Sequence, residues 1–211
     1  GTGTGRSSYI AALDRHSEPP KIINPLYFNQ AHSGSVNLDY RVSGTNTQLD
    51  GLGSNLLFTF NSGHAFTYVY RPVGGQVSAF DAGVDYMLDT RSRQALEPIG
   101  SSTTPWQRYA NLKVDYNLSL GGVGVTLFAY VNNLFDTKNV INVYSRSGNA
   151  YDDGFLTDPA LSTEIVAANG QDYVDLYRNV NLENRQHFMG DFGLDVFATP
   201  QIVKMGVSVN F

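Results

Sequence analysis

Apolar and polar residues alternate with period two in five stretches of this chain, and each stretch predicts a strand with one apolar face. The first runs from about Ser33 to Val42, where Val36, Leu38, Tyr40 and Val42 alternate with Ser35, Asn37, Asp39 and Arg41. The second, Asn55 to Asn61, puts Leu56, Phe58 and Phe60 on one face. The third, Tyr109 to Leu118, sets Ala110, Leu112, Val114, Tyr116 and Leu118 against Tyr109, Asn111, Lys113, Asp115 and Asn117. In the fourth, Val123 to about Phe135, the two faces are less distinct. The fifth is the last line of the sequence, with Met205, Val207, Val209 and Phe211 opposite Lys204, Gly206, Ser208 and Asn210.

The connections alternate in length. Ser43–Gly53 and Ser119–Gly122 are short and polar or glycine-rich, while Ser62 to Pro105 and Asp136 to Pro200 are long. In the first long connection Pro72, Gly74-Gly75 and Pro98 break any regular element. In the second, Asp158 reads as a helix cap with Pro159 at the first position and Gly170 just past the end. Leu161, Ile165 and Ala168 then share a side, and Gln171 to Asn181 predicts a second helix. Residues Gly1 to Gln30 carry Pro19, Pro20 and Pro25 and read as loop, apart from an apolar patch at Tyr9 to Leu13. No internal repeat or linker marks a second domain. The predicted class is all-β and antiparallel, with short helices in the long connections.

Composition narrows the picture. Thirteen Tyr and twelve Phe, with only 16% charged residues and 21 Gly, suit a β protein with many turns. There is no cysteine, so no disulfide, thiolate nucleophile or thiolate metal site is possible. A net charge of −5 without a basic run argues against a nucleic-acid partner. No stretch approaches the roughly 18 apolar residues of a membrane helix. The opening Gly1-Thr2-Gly3-Thr4-Gly5, without Met or leader, is expected to be the inside of a loop in a longer protein.

Alternating short and long connections suit a transmembrane β-barrel segment with tight periplasmic turns and long extracellular loops. If the last strand ends at the periplasm, both short connections fall on that side. Tyr40, Tyr116 and Phe211 then lie on the apolar face close to the periplasmic strand ends, where a lipid-facing aromatic girdle belongs. Asp39, Arg41, Lys113 and Asp115 fall on the opposite face, towards a lumen or plug. Five or six strands cannot close a membrane barrel, since the smallest have about eight. The whole chain, 1–211, is therefore expected to be the C-terminal part of a single barrel domain. A soluble sandwich, whose apolar faces meet each other, has the same alternation.

Four stretches carry a family resemblance. The ending Lys204, Gly206, Val209 and Phe211 resembles the signal read by the barrel-assembly machinery of bacterial outer membranes. Phe58-Thr59-Phe60-Asn61-Ser62-Gly63-His64-Ala65-Phe66-Thr67 resembles a strand-to-loop passage of TonB-dependent receptors. Val131-Asn132-Asn133-Leu134-Phe135-Asp136 resembles their penultimate strand. Ala198-Thr199-Pro200-Gln201, followed by the last strand, completes the match. Three further segments resemble the large Oar-like branch: Asn149 to Gly154, Tyr173 to Arg178 and Glu183 to Phe188. The resemblance implies the last five or six strands of a 22-stranded barrel in the outer membrane, surrounded by lipid. It also implies uptake of an unidentified extracellular ligand, powered by the TonB complex acting on an N-terminal plug missing from this chain. No cofactor and no enzymatic activity are implied. An adhesin or passive pore without a plug, or a soluble sandwich binding module, are the rival readings.

Candidate chemistry is sparse. Asp152-Asp153-Gly154, with Asp158 nearby, lacks the ligand spacing of a calcium loop and reads better as a solvated turn. His16, His32, His64 and His187 are far apart and in or beside loops, without zinc-site spacing. Ser62-Gly63-His64 puts a hydroxyl near a histidine, but no nucleophile elbow accompanies it. Trp106, Tyr144, Tyr151, Asp152 and Asp153 are the ligand-loop candidates, with Tyr173 and Tyr177 beside them; packing of the loops is their other role.

Overall fold

The computed structural model describes residues 25–26, 28–70 and 94–210. The expectations for residues 1–24, for Pro72 and Gly74-Gly75, and for Phe211 lie outside the described residues. Five strands form one antiparallel sheet in the order β1 (Ser33–Arg41), β2 (Leu52–Asn61), β7 (Gln107–Leu120), β8 (Val123–Asn132) and β9 (Ile202–Asn210). The predicted strands are all present, and their ends differ for local reasons. β2 begins three residues early because Val42 donates to the Leu52 carbonyl and Gly51 to that of Val42, closing the β1–β2 connection as a ladder. β8 ends at Asn132 because Asn133 turns left-handed, with φ 53°.

The register decides how the strand faces combine. Leu38, Leu56, Leu112, Val131 and Val203 form one row across all five strands, and the row Leu52, Tyr116, Leu127 and Val207 runs parallel to it. The opposite side carries Asp39, Asn55, Lys113, Tyr130 and Lys204 in one row and Arg41, Gly53, Asp115, Phe128 and Gly206 in the next. The two sides of the sheet are thus segregated in three dimensions. Two glycines on the strands lie under aromatic rings: Phe60 covers Gly34, and Phe128 covers Gly206. The ring fills the gap that each missing side chain leaves.

The apolar side is uncovered. Leu38 is 60% exposed and Met205 78%, and Val36, Leu127, Val203, Val207 and Val209 are also exposed. Among the described residues, Ala110 is the one buried hydrophobic residue on the sheet. The sheet is open, since β1 and β9 each pair on one side only among the described residues.

The two short connections and the end of β9 lie at one end of the sheet, because Arg41 pairs Gly53, Leu120 pairs Val123 and Asn210 pairs Gly124. The two long connections lie at the other end. The first carries two small ribbons absent from the sequence expectation: β3 (Ala65–Phe66) with β6 (Ser102–Thr103), and β4 (Val69–Tyr70) with β5 (Gln94–Ala95).

The second long connection holds the expected helices. α1 (Pro159–Tyr177) starts at Asp158, whose side chain accepts from the Ala160 N–H, and breaks at Gly170, with φ 73° and ψ −166°. The break separates the two predicted helices. A π-helical turn (Arg178–Glu183) and the unforeseen α2 (Gln186–Phe192) follow. α2 is invisible to periodicity at seven residues, and its entry residue Arg185 is left-handed, with φ 53°. Here, not on the sheet, lies the hydrophobic core. One cluster joins Val140, Val143, Tyr144, Ala150, Phe188, Val196 and Phe197, and a second joins Phe155, Tyr173 and Tyr177.

Candidate functional site

On the polar side of the sheet the four charged residues singled out from sequence converge. Arg41 and Asp115 face each other across Gly53, with Arg41 Nη1 3.3 Å from Asp115 Oδ2. Arg41 Nε lies 3.3 Å from Asp39 Oδ1, and Lys113 Nζ lies 3.7 Å from Asp115 Oδ1. Asn55 donates to Asn37 and Asp39, and Asn117 donates to Asp115. Asp115 is buried beneath this cover, where two cations and an amide partner its carboxylate oxygens. The network surrounds a hollow of about 380 Å³ that Phe128 and Tyr130 also line.

Gly53 makes the crossing possible. A methyl at this position would sit 2.8 Å from Asp115 Oδ2 and 2.9 Å from Arg41 Nη1. Gly53→Ala is expected to part the pair and lower stability by about 1–2 kcal/mol. The thermal midpoint should fall in the wild-type background and fall less in an Arg41→Ala background.

At the long-connection end two of the resembling motifs touch each other. Asn133, left-handed at the end of β8, accepts from the Thr137 N–H and donates to the carbonyls of Thr137 and Thr199. Asp136 Oδ1 accepts from the Gln201 N–H, and the Gln201 amide donates to the Leu134 carbonyl. The Asn-Leu-Phe-Asp run therefore clamps the residues that lead into β9. In the other motif Ser62 Oγ accepts from the His32 N–H, and the His64 N–H donates to Thr104 Oγ1. His64 Nε2 lies 2.6 Å from the Ile141 carbonyl, which can only accept, so that nitrogen carries the proton. These contacts make Ser62-Gly63-His64 a fastening between connections.

The ligand-loop candidates separate into two groups. Tyr144 is fully buried: its ring packs edge-on against Phe188 and its hydroxyl donates to the Asn181 carbonyl. Asp153 is also fully buried, where the sequence suggested a solvated turn. Successive Asx turns, Asp152 to Gly154 N–H and Asp153 to Phe155 N–H, fold the segment inward, and the Tyr177 hydroxyl donates to Asp153 at 2.6 Å. The other three are partly or well exposed. Asp152 is half-buried and its carboxylate accepts from Thr157, Tyr151 is exposed, and Trp106 is half exposed. Trp106 is no part of the clusters in the second long connection. It stacks on His32 and Phe60, with centroids 6.1 and 6.5 Å away, at the long-connection end of the apolar face.

Burial pushes the Asp153 carboxyl above its ordinary range, against the Tyr177 hydrogen bond, and burial with the Asp153 charge pushes Tyr173 up to about 12. Burial also works to raise Asp195, but Arg185, bidentate at 2.6 and 3.0 Å, and the Val196 N–H outweigh it and hold it low. The raised acid has a definite sign. Below about pH 4 it is protonated in both states; as pH rises the unfolded chain loses the proton first, so stability falls until the folded pKa is passed. Asp153→Asn is expected to remove that fall. The wild-type-minus-variant difference in thermal midpoint, measured from pH 4 to neutrality, should grow in favour of the variant.

That the four charges share one side is legible in the alternation, but which of them pair is not, because Arg41 and Asp115 are 74 residues apart and only the register joins them. Gly53 gave no signal beyond being a glycine beside a strand. Among the described residues no group of three or more metal-ligating side chains is placed to hold an ion, and no helix is long and apolar enough to cross a membrane. Tyr40 and Tyr116 sit on the apolar face at the short-turn end, Tyr116 donating to the Gln48 carbonyl. In the terminal strand Lys204, Gly206 and Val209 occupy β9, and Phe211 lies outside the described residues. No family model, curated protein or solved structure matches this chain.

Proposed function

We propose that the five-stranded sheet is a lipid-facing part of an outer-membrane β-barrel, and that the protein is a receptor of the TonB-dependent kind taking up an extracellular ligand. The observation that carries the barrel reading is the in-register apolar side of the sheet, uncovered while the buried core lies in the connections. In water such a face is a large unfavourable surface; in hydrocarbon it is the solvated one. Its dimensions suit a bilayer. Trp106, the residue before β7, and Tyr116 within it, ten residues apart, span roughly 34 Å of extended chain, or roughly 26 Å of depth at a tilt of about 40°, against an apolar band of about 25 Å. Aromatics mark both limits: Tyr40 and Tyr116 at one end, and His32, Phe60 and Trp106 at the other.

A closed barrel requires further strands on the free edges of β1 and β9. The receptor reading rests on the sequence resemblance. It gains support from the mutual clamping of Asn133–Asp136 with Thr199–Gln201. The test is an antibody against this segment on fractionated cells, comparing boiled with unboiled gel samples. An outer-membrane band whose mobility shifts on boiling is expected. A water-soluble band near 23 kDa would overturn the membrane reading and favour the sandwich.

A further inference from the structure

The second long connection contains a hollow of about 450 Å³ built from three of its separate stretches. Lys138 and Tyr151 come from the part before α1, Arg178, Glu183 and Arg185 from the π-helical turn and the start of α2, and Phe197 from the approach to β9. Phe197 is the fixed floor: it is buried, Tyr151 lies 5.0 Å from it centroid to centroid, and the Arg185 guanidinium lies 4.9 Å over it. Arg185 is itself locked by the bidentate Asp195 and by the Glu183 carbonyl. The floor is therefore organised before anything binds, which lowers the ordering entropy of binding.

The walls are different. Lys138 Nζ stands 5.2 Å from the Phe197 centroid, and neither it nor Arg178 has a carboxylate partner among the described residues. Glu183 is the one carboxylate in the lining, and it accepts from Asn179. With Arg185 neutralised by Asp195, two cations face one acid, in a chain whose net charge is −5. Tyr151, 56% exposed, offers an open ring face beside them. Cations without a carboxylate partner recognise carboxylates and sulfates, and an exposed aromatic face recognises a ring. A hollow of this size holds a small ligand of one or two rings.

We infer that this hollow binds an anion carried on a ring, either an acidic sugar or an aromatic carboxylate, with Lys138 and Arg178 holding the anionic group and Tyr151 stacking on the ring. The geometry belongs to the connections alone, so the site stands whether or not the sheet lies in lipid. Only the identification of its occupant with transported cargo rests on the receptor reading.

The test is calorimetric titration of the intact protein, purified in detergent at low salt, with glucuronate, glucose and benzoate. Glucuronate or benzoate is expected to bind, whichever matches the source of the ring, and glucose is not. The double variant Lys138→Gln/Arg178→Gln should weaken that binding about tenfold or more, Lys138→Arg should retain it, and Tyr151→Ala should weaken it several-fold. Failure of both anions to bind at about 10 mM would overturn the inference, since that is weaker than any specific site of this kind. Equal binding of glucose and glucuronate, or an unchanged double variant, would overturn it too. None of these readouts depends on membrane insertion, so a failed membrane test leaves this one standing.

Discussion

On the proposed barrel reading, replacing Leu112 by lysine is expected to destabilise the assembled protein by about 2–4 kcal/mol, the cost of a cation near the middle of a bilayer on a lipid-facing strand. Leu112 lies in the apolar row with Leu38, Leu56, Val131 and Val203, and about midway along β7 between Trp106 and Tyr116. Depth matters, so Tyr116→Lys, at the short-turn limit, should cost less, about 0–1 kcal/mol from the lipid. Ser208→Lys on the opposite side of the sheet is exposed and should change stability by less than about 0.5 kcal/mol. The measurement is the denaturant midpoint of the detergent- or lipid-embedded protein for all three variants. The ordering Leu112 worst, Tyr116 intermediate and Ser208 neutral belongs to a bilayer. On a face turned to water, Leu112→Lys would be nearly neutral and the membrane reading would fail.

Gly63→Ala is the second large effect, and its cause is wholly local. A methyl group on residue 63 would stand 1.6 Å from the Thr104 carbonyl oxygen and 2.5 Å from its carbon, both main-chain atoms. No rotamer relieves such an overlap, so one of the two connections must move. The hydrogen bonds between His64 and Thr104, in both directions, would be lost with it. A loss of about 3 kcal/mol or more is expected, at or above the upper range for overpacking. Limited proteolysis should report it as faster cleavage in residues 62–105, with the strands still protected. Gly121→Ala is the contrast: its Cβ meets nothing within 4 Å, and only the left-handed φ of 59° opposes it. That variant should lose about 1 kcal/mol.

The amino-acid sequence carries the five long strands and the sense of their faces, because period-two alternation is written residue by residue and needs no partner to be read. It also determined the turn at Gly121-Gly122, the Asp158 cap and the break at Gly170, where glycine and cap chemistry act within a few residues. The three-dimensional arrangement aligns the rows into one uncovered apolar side, since register is a relation between strands. It alone brought Arg41 over Gly53 to Asp115, and Lys138, Arg178 and Tyr151 around Phe197. It also moved Trp106 from the loops to the rim of the apolar face and Asp153 from a solvated turn into a core. Each of these rests on contacts between residues far apart in the chain, which alternation, caps and turn residues do not encode.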